Sequence, residues 1–548
     1  MSLEQKDPIF QIEQINHLIN VLGTEQWVTV YKNSYNDSNK ITYWSALIPK
    51  NKVNDVLNND SWDLLIGRGM PGCSEQYNGN STIVKYLRFG NESGIEPLVY
   101  VRDFHGRKPS YVEVSEEFRL FHNFYYDSKT SNYLHFDDNG DEDTAIIASD
   151  NEVRIKLKYI KQFLAIKDLR LALYVEADVY SKKTLAELSI GKKISQEYKS
   201  GDIRYHFHIN ECFWMSDKSL KTFSRIIGKK LIAGMSKESS GIWPYEAKRQ
   251  YQNFIIEIDE NGTDVSYNCN PDYLANYFGG NPDAPHYLTP VFFRREVLNK
   301  YYSQPENYTV KDGSIECNGF WSLRIDNNHP SFVIVYLGDL GRDLPDKEQT
   351  YWKSFNIPPD GQMSSVKFKR DFLAEWTSPE SSDLIFKLTF ETFQKLWLEH
   401  YRWNFFKPLE SKDEHHYKSL RIPLTNDQSE FDQQVLSLVK IIIDSLNEKE
   451  IERLIVVDDP KIKGLSKLEL LMKQRNIAGF EVHIKFLRNL YELRSSGVGH
   501  RKGKNYEKIC KVFAIGEKDL RGVFNEILNS AVQLILFLQT CVSRGEIE

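Results

Sequence analysis

The chain has little of what marks a metal, disulfide or membrane protein. Its six cysteines, Cys73, Cys212, Cys269, Cys317, Cys510 and Cys541, are dispersed over 548 residues, and none forms a CxxC or another metal spacing. A cysteine metal site and a dense disulfide framework are therefore not expected. The longest late apolar stretch, Ala531 to Leu538, is too short to span a bilayer. Met1 to Ile15 has no apolar run behind a basic patch, so no secretory leader is expected. No Walker loop, GxGxxG fingerprint, HExxH or GxSxG elbow occurs. These absences predict a soluble protein of a reducing cytoplasm with no cofactor and no metal.

Aromatics, by contrast, are plentiful, with 30 Tyr, 31 Phe and 10 Trp. Such a composition folds compactly, and the length exceeds one ordinary core, so several domains are expected. Net charge is -6 but uneven. Residues 1–430 carry 51 Lys and Arg against 60 Asp and Glu, whereas residues 431–548 carry 19 against 16. The net of +3 at the C-terminal end fits a nucleic-acid contact there.

The first third reads as β structure. Trp27 to Tyr31, Ile41 to Ile48 and Pro97 to Val101 are β-rich segments bounded by polar turns. Ser115-Glu116-Glu117 opens a short helix, and strands follow at Asn132–Phe136 and Thr144–Ala148. The acidic turn between them, Asp137 to Asp143, lacks the EF-hand ligand order and reads as a solvated hairpin. Val153 to Leu169 reads as helix and Leu171 to Val179 as strand.

Ile203 to Ile209 alternates, which puts Arg204, His206 and His208 on one strand face. With no convincing third ligand adjacent, that face reads as polar surface rather than a zinc site. Phe332 to Leu337 predicts a buried strand running into a glycine-interrupted loop, Gly338 to Pro345. Asp339, Arg342 and Asp343 are candidate contacts in that loop, with Arg342 pairing a flanking aspartate as the plainer reading. Leu384 to Tyr401 predicts a helix. His415 and His416 sit in a charged connector and are expected at the surface.

The last hundred and twenty residues carry the clearest apolar stripes. Helices are expected over Gln433–Leu446, Leu465–Gln474, Phe480–Leu493 and Glu517–Thr540. Ser466 is a plausible cap for the second, with Glu469 at N3. Four such helices fit a small bundle. After the third comes Arg494-Ser495-Ser496-Gly497-Val498-Gly499-His500-Arg501-Lys502-Gly503-Lys504. The serines and glycines favour releasing the helix near Arg494, and a glycine-rich turn can fold His500 back toward it. Histidine titrates near neutrality and serves as acid or base. Arginine is a fixed cationic fork for charge building on phosphoryl oxygens. Arg501, Lys502 and Lys504 add phosphate contacts.

The helical tail with Arg494-x5-His500 resembles the HEPN superfamily, whose active members carry an arginine, four to six intervening residues and a histidine. The resemblance covers roughly the last fifth of the chain. It implies a metal-independent endoribonuclease with Arg494 and His500 as the catalytic pair, acting on an RNA substrate. Ser495 occupies the position after the arginine, commonly asparagine, aspartate or histidine in that family. The resemblance also implies a homodimer through the C-terminal helices, in a toxin-like effector of antiviral defence. A phage-derived or host trigger would act on the N-terminal region. The expected fold class is a multidomain α+β protein, a large β-rich N-terminal region followed by an all-α HEPN-like bundle. The expected domains are residues 1–199, 200–410 and 431–548. The alternative is a non-catalytic RNA-binding or dimerising regulatory protein.

Overall fold

A computed structural model of the chain describes residues 7–36, 39–59, 71–88, 95–215, 217–246, 248–457, 462, 464–497 and 503–547. A large β-rich region comes first and an all-helical stretch follows. The chain divides into two compact units, the first ending at Lys248 and the second beginning at Arg249, with Asp138–Gly140 grouped with the second.

The first unit is built on one eleven-stranded sheet. Its strands are β1 (Trp27–Tyr35), β2 (Asn39–Pro49), β3 (Tyr125–Asp127), β4 (Asn132–Phe136), β5 (Glu142–Ala148), β6 (Glu152–Lys156), β7 (Leu169–Ser181), β8 (Ile194–Ser200), β9 (Ile203–Glu211) and β10 (Thr222–Ala233). They lie in the order β8-β9-β10-β7-β2-β1-β6-β5-β4-β3, with Glu96–Pro97 pairing β2 off this path. The pairings are antiparallel, Thr42 facing Glu176 and Trp27 facing Lys156. Because β8 pairs β9 across residues 200–203, the sheet runs through the boundary expected at 199/200.

Alternation gives the sheet its two faces. Along β9, Ile203, Tyr205, Phe207 and Ile209 are buried in the core, while Arg204, His206 and His208 are half-buried on the other face. A helix at Val53–Asn58, α1, reaches that second face: Lys229 Nζ donates to the Val56 and Asn59 carbonyls, 3.0 and 2.6 Å away. The helix expected over Val153–Leu169 begins only at Leu157 (α2, Leu157–Lys167), because Val153 and Ile155 alternate inward as part of β6.

In the second unit a three-stranded sheet forms from β11 (Pro290–Arg294), β12 (Phe332–Tyr336) and β13 (Asn356–Ile357), with β11 in the middle. The segment after β12 is helix α3 (Leu337–Asp343), not the loop expected there. Its glycines serve packing rather than chain release. A Cβ on Gly338 would lie 2.2 Å from the Tyr287 ring, and one on Gly341 would lie 1.8 Å from the Cys269 carbonyl oxygen.

The helical part includes α4 (Ser382–Tyr401), α5 (Glu414–Lys418), α6 (Gln428–Val439), α7 (Leu465–Gln474), α8 (Phe480–Gly497), α9 (Lys504–Val512) and α10 (Leu520–Ser543), with a short helix at Glu448–Glu452 between α6 and α7. One core joins Phe386 and Trp397 of α4 to Leu438, Leu471, Leu490 and Ile535, so this layer begins before residue 431. A π-helical turn, Lys440–Asp444, continues α6. Gly464, not Ser466, caps α7, and Glu469 instead pairs with Lys473 and Arg488, each at 2.6 Å. His416 is buried, its Nδ1 2.9 Å from Ser437 Oγ, in place of the expected surface position. Helix α10 is longer than its apolar stretch suggests and is apolar enough to cross a membrane by length and composition. Eleven of its residues are buried in the helical core, the ordinary place of such a stripe.

One buried histidine in the first unit gives a pH signature. His122 is 5 % exposed, packed among the rings of Phe118, Phe121, Phe124 and Tyr159. Its Nε2 donates to the Tyr159 carbonyl at 3.0 Å. Burial, with His135 and Lys158 adding to it against that bond, brings its pKa down to about 3 from 6.5. Between these values the unfolded chain takes up a proton that the folded chain refuses. Stability should thus fall as pH drops below 6.5, with this group contributing up to ~1.4 kcal/mol per pH unit. Urea midpoints measured across this window should fall less steeply in His122→Phe, and identical slopes would refute the assignment.

Candidate functional site

Helix α8 turns its Ile484, Leu487, Leu490 and Leu493 into the helical core. Arg494 follows the last of these, about 100° further round the helix, and is half-buried in the final turn. Sequence reading releases the chain at Arg494, but the helix continues through Ser495 and Ser496 to Gly497. Ser496 Oγ donates to the Glu492 carbonyl at 2.7 Å, a bond made within the helix itself. Gly497 is tolerated because space is short there: a Cβ would lie 2.9 Å from the Tyr506 ring of α9. Burial, with Cys510 and Asp432 beside it, pushes the Tyr506 phenol above its ordinary pKa.

Val498 to Lys502 lie outside the described residues, and with them His500, Arg501 and Lys502. The structure therefore places Arg494, Ser495 and Lys504 of the expected set. Ser495 is half-buried beside Arg494, and Lys504 is exposed at the first position of α9, where Gly503 provides no side-chain cap. Arg494 has no ion-pair partner among the described residues. Arg488, about one and two-thirds turns earlier, is held by Glu469 at 2.6 Å. The two arginines of α8 thus differ: one is consumed by a carboxylate and the other is not.

Helix α9 itself went unread in the sequence, and with it a set of cations. Lys504, Lys508 and Lys511 are all exposed, and their i, i+4, i+7 spacing places them along one side of the helix. That spacing is present in the sequence. It becomes legible once Tyr506, Ile509 and Phe513 are recognised as the opposing apolar stripe, which packs on the helical core.

The other candidates resolve into structure. Arg342 grips Asp343 with two bonds of 2.6 and 2.8 Å and reaches Asp339 at 3.0 Å. Tyr287 Oη donates to Asp339 at 2.9 Å, and the Arg342 guanidinium lies 5.8 Å from the Tyr287 ring centroid. Burial pushes the Asp339 carboxyl above its ordinary range, against the pull of Tyr287 and Arg342. This is a self-satisfied cluster pinning α3, as the plainer reading holds, and none of the contacts just described brings a histidine into it.

His206 and His208 do share a face, ring centroids 5.3 Å apart, with His206 Nε2 2.9 Å from Ser195 Oγ. The acidic turn joins β4 and β5, and Asp143 is bound by Lys156, by Lys158 at 2.7 Å and by Tyr159 Oη at 2.7 Å. Among the described residues no three His, Cys, Asp or Glu gather at metal-holding distance.

Comparison with known proteins adds no relative: no family model, curated protein or solved structure matches the chain.

Because Arg494 is half-buried and unpaired among the described residues, its replacement removes no ion pair described here. Arg494→Ala should change unfolding stability by less than about 1 kcal/mol in urea titration. A larger loss would show that the guanidinium holds the fold together.

Proposed function

We propose that the protein is a metal-independent endoribonuclease with Arg494 and His500 as its catalytic pair. The observation that carries this reading is an arginine at the end of a core helix, left without a carboxylate among the described residues, six positions before a histidine. The resemblance of this pattern to the HEPN superfamily supports it, as does the basic side of α9 just beyond.

In the reaction, His500 accepts the proton of a ribose 2′-hydroxyl, whose oxygen attacks the adjacent phosphorus. The bond from phosphorus to the 5′-oxygen breaks, and that oxygen takes a proton as it leaves. Products are a 2′,3′-cyclic phosphate and a 5′-hydroxyl. Arg494 neutralises charge gathering on the phosphoryl oxygens. Ser495, Arg501, Lys502 and Lys504 hold the RNA backbone, which gives affinity with little sequence reading.

One copy of the motif supplies one histidine, whereas cleavage uses an acid and a base. A homodimer through the C-terminal helices would set two motifs in one composite site. The β-rich unit then restrains the helical tail until a phage-derived or host component binds it, in a cytoplasmic effector of antiphage defence. Exposed aromatics of that unit, among them Tyr77, Tyr86 and Trp214, suit a macromolecular contact.

Purified full-length protein incubated with RNA in EDTA should cut it and leave cyclic-phosphate ends. His500→Ala and Arg494→Ala should each cut at least ~100-fold more slowly. Undiminished cutting by His500→Ala would sink the catalytic assignment. RNA binding by the wild type with no cutting, trigger or none, would favour a non-catalytic RNA-binding or dimerising regulator. Solution mass tests the dimer: a strictly monomeric, active protein would refute the composite site.

A further inference from the structure

The helical part holds a cleft of about 440 Å³ between α4, the chain at 407–409, α5 and the π-helical turn after α6. That volume lies in the range of small-molecule sites. Phe390, Leu409, Ile441 and the ring of Tyr417 line it with apolar surface. The Phe390 ring packs against two others, its centroid 5.3 Å from that of Phe406 and 5.8 Å from that of Tyr417.

The charges around this apolar slot do not cancel. Glu391 accepts a hydrogen bond from Tyr417 Oη at 2.8 Å, and Glu414 pairs with Lys418 at 3.1 Å. Lys395 and Lys407 also line the cleft, and among the described residues neither ammonium has an ion-pair partner. The lining carries three lysines against two glutamates, a net charge of +1, and an apolar slot with a net positive rim is complementary to a molecule with an apolar body and one anionic group.

The wall bears a second mark of a site. Lys440–Asp444 is a π-helical turn, and such turns concentrate at functional positions because they cost helix stability. Two bonds meet at Ser445, the residue that follows it. Ser445 Oγ donates to the Lys440 carbonyl at 2.6 Å, and the Lys407 amide donates to the Ser445 carbonyl at 2.6 Å. The irregular segment bearing Leu409 is thereby tied to the end of the turn bearing Ile441.

We propose that this cleft binds a small amphipathic organic anion, its apolar body against Phe390, Leu409 and Ile441 and its anionic group between Lys395 and Lys407. The site is independent of the RNA-cleavage reading, and its test needs no enzymatic activity.

Full-length protein is titrated with dodecanoate by calorimetry and with anilinonaphthalene sulfonate by fluorescence. One competitive site per chain is expected for the two probes, with dodecanol bound at least about tenfold more weakly than dodecanoate. Lys395→Ala/Lys407→Ala, two changes at exposed positions, should weaken both probes by about tenfold or more. Leu409→Trp, which fills the slot from its rim, should abolish competition between them while the melting temperature stays near that of the wild type. If Leu409→Trp does not fold, the lysine pair still decides. The proposal is overturned if neither probe saturates below about 1 mM. It is equally overturned if the lysine substitutions leave both affinities unchanged, or if dodecanol binds as tightly as dodecanoate.

Discussion

Helix α10 carries a stripe too apolar to be left in water, and the geometry of the helical layer follows from where that stripe goes. Phe524, Ile527, Leu528, Ala531, Ile535 and Leu538 are fully buried, and each large side chain among them contributes about 2 kcal/mol by leaving water. The partner surface is α4, with Phe386, Phe393 and Trp397. Two polar bonds fix the pairing along its length: Ser382 Oγ donates to Asn529 at 2.7 Å, and Gln539 Nε2 donates to the Thr389 carbonyl at 3.3 Å. Helices α6 and α8 complete the same core, so the final turn bearing Arg494 is positioned by a contact made elsewhere on the bundle.

How far these features could be read in advance depends on the range of the forces involved. Helices α7, α8 and α10 announce themselves because their stripes are long and local. The single-faced alternation of β9 is equally plain. The order of the sheet is not, since Thr42 pairs with Glu176 and no local pattern encodes a partner that distant. Gly338 and Gly341 misled for a related reason. Glycine reads as a breaker locally, while here it makes room for Tyr287 and Cys269, which meet it only in the folded chain. His416 looked like surface because its neighbours are charged, yet Ser437 gives its ring a buried partner. At the candidate site, the helix-end position of Arg494 was legible to within a turn, whereas the lysine stripe of α9 was not, because a nine-residue helix between glycines carries a weak signal.

A comparison of three arginines shows what separates a structural cation from an available one. Arg342 is bound by two aspartates, and Arg488 is bound by Glu469. Arg494, with no such partner among the described residues, keeps its electrostatic capacity for something brought to it. A guanidinium already satisfied by a carboxylate must break that pair before it can hold a phosphate, whereas an unsatisfied one need only shed water.

The pairing of α4 with α10 also has a consequence for the growing chain. The first unit has all its strands by Ala233 and can close while later residues are still on the ribosome. The helical core cannot, because α4 waits for a partner whose last residues come some hundred and forty positions later. Synthesis thus imposes a sequence of maturation, with the β-rich unit formed before the helical layer gains its shape.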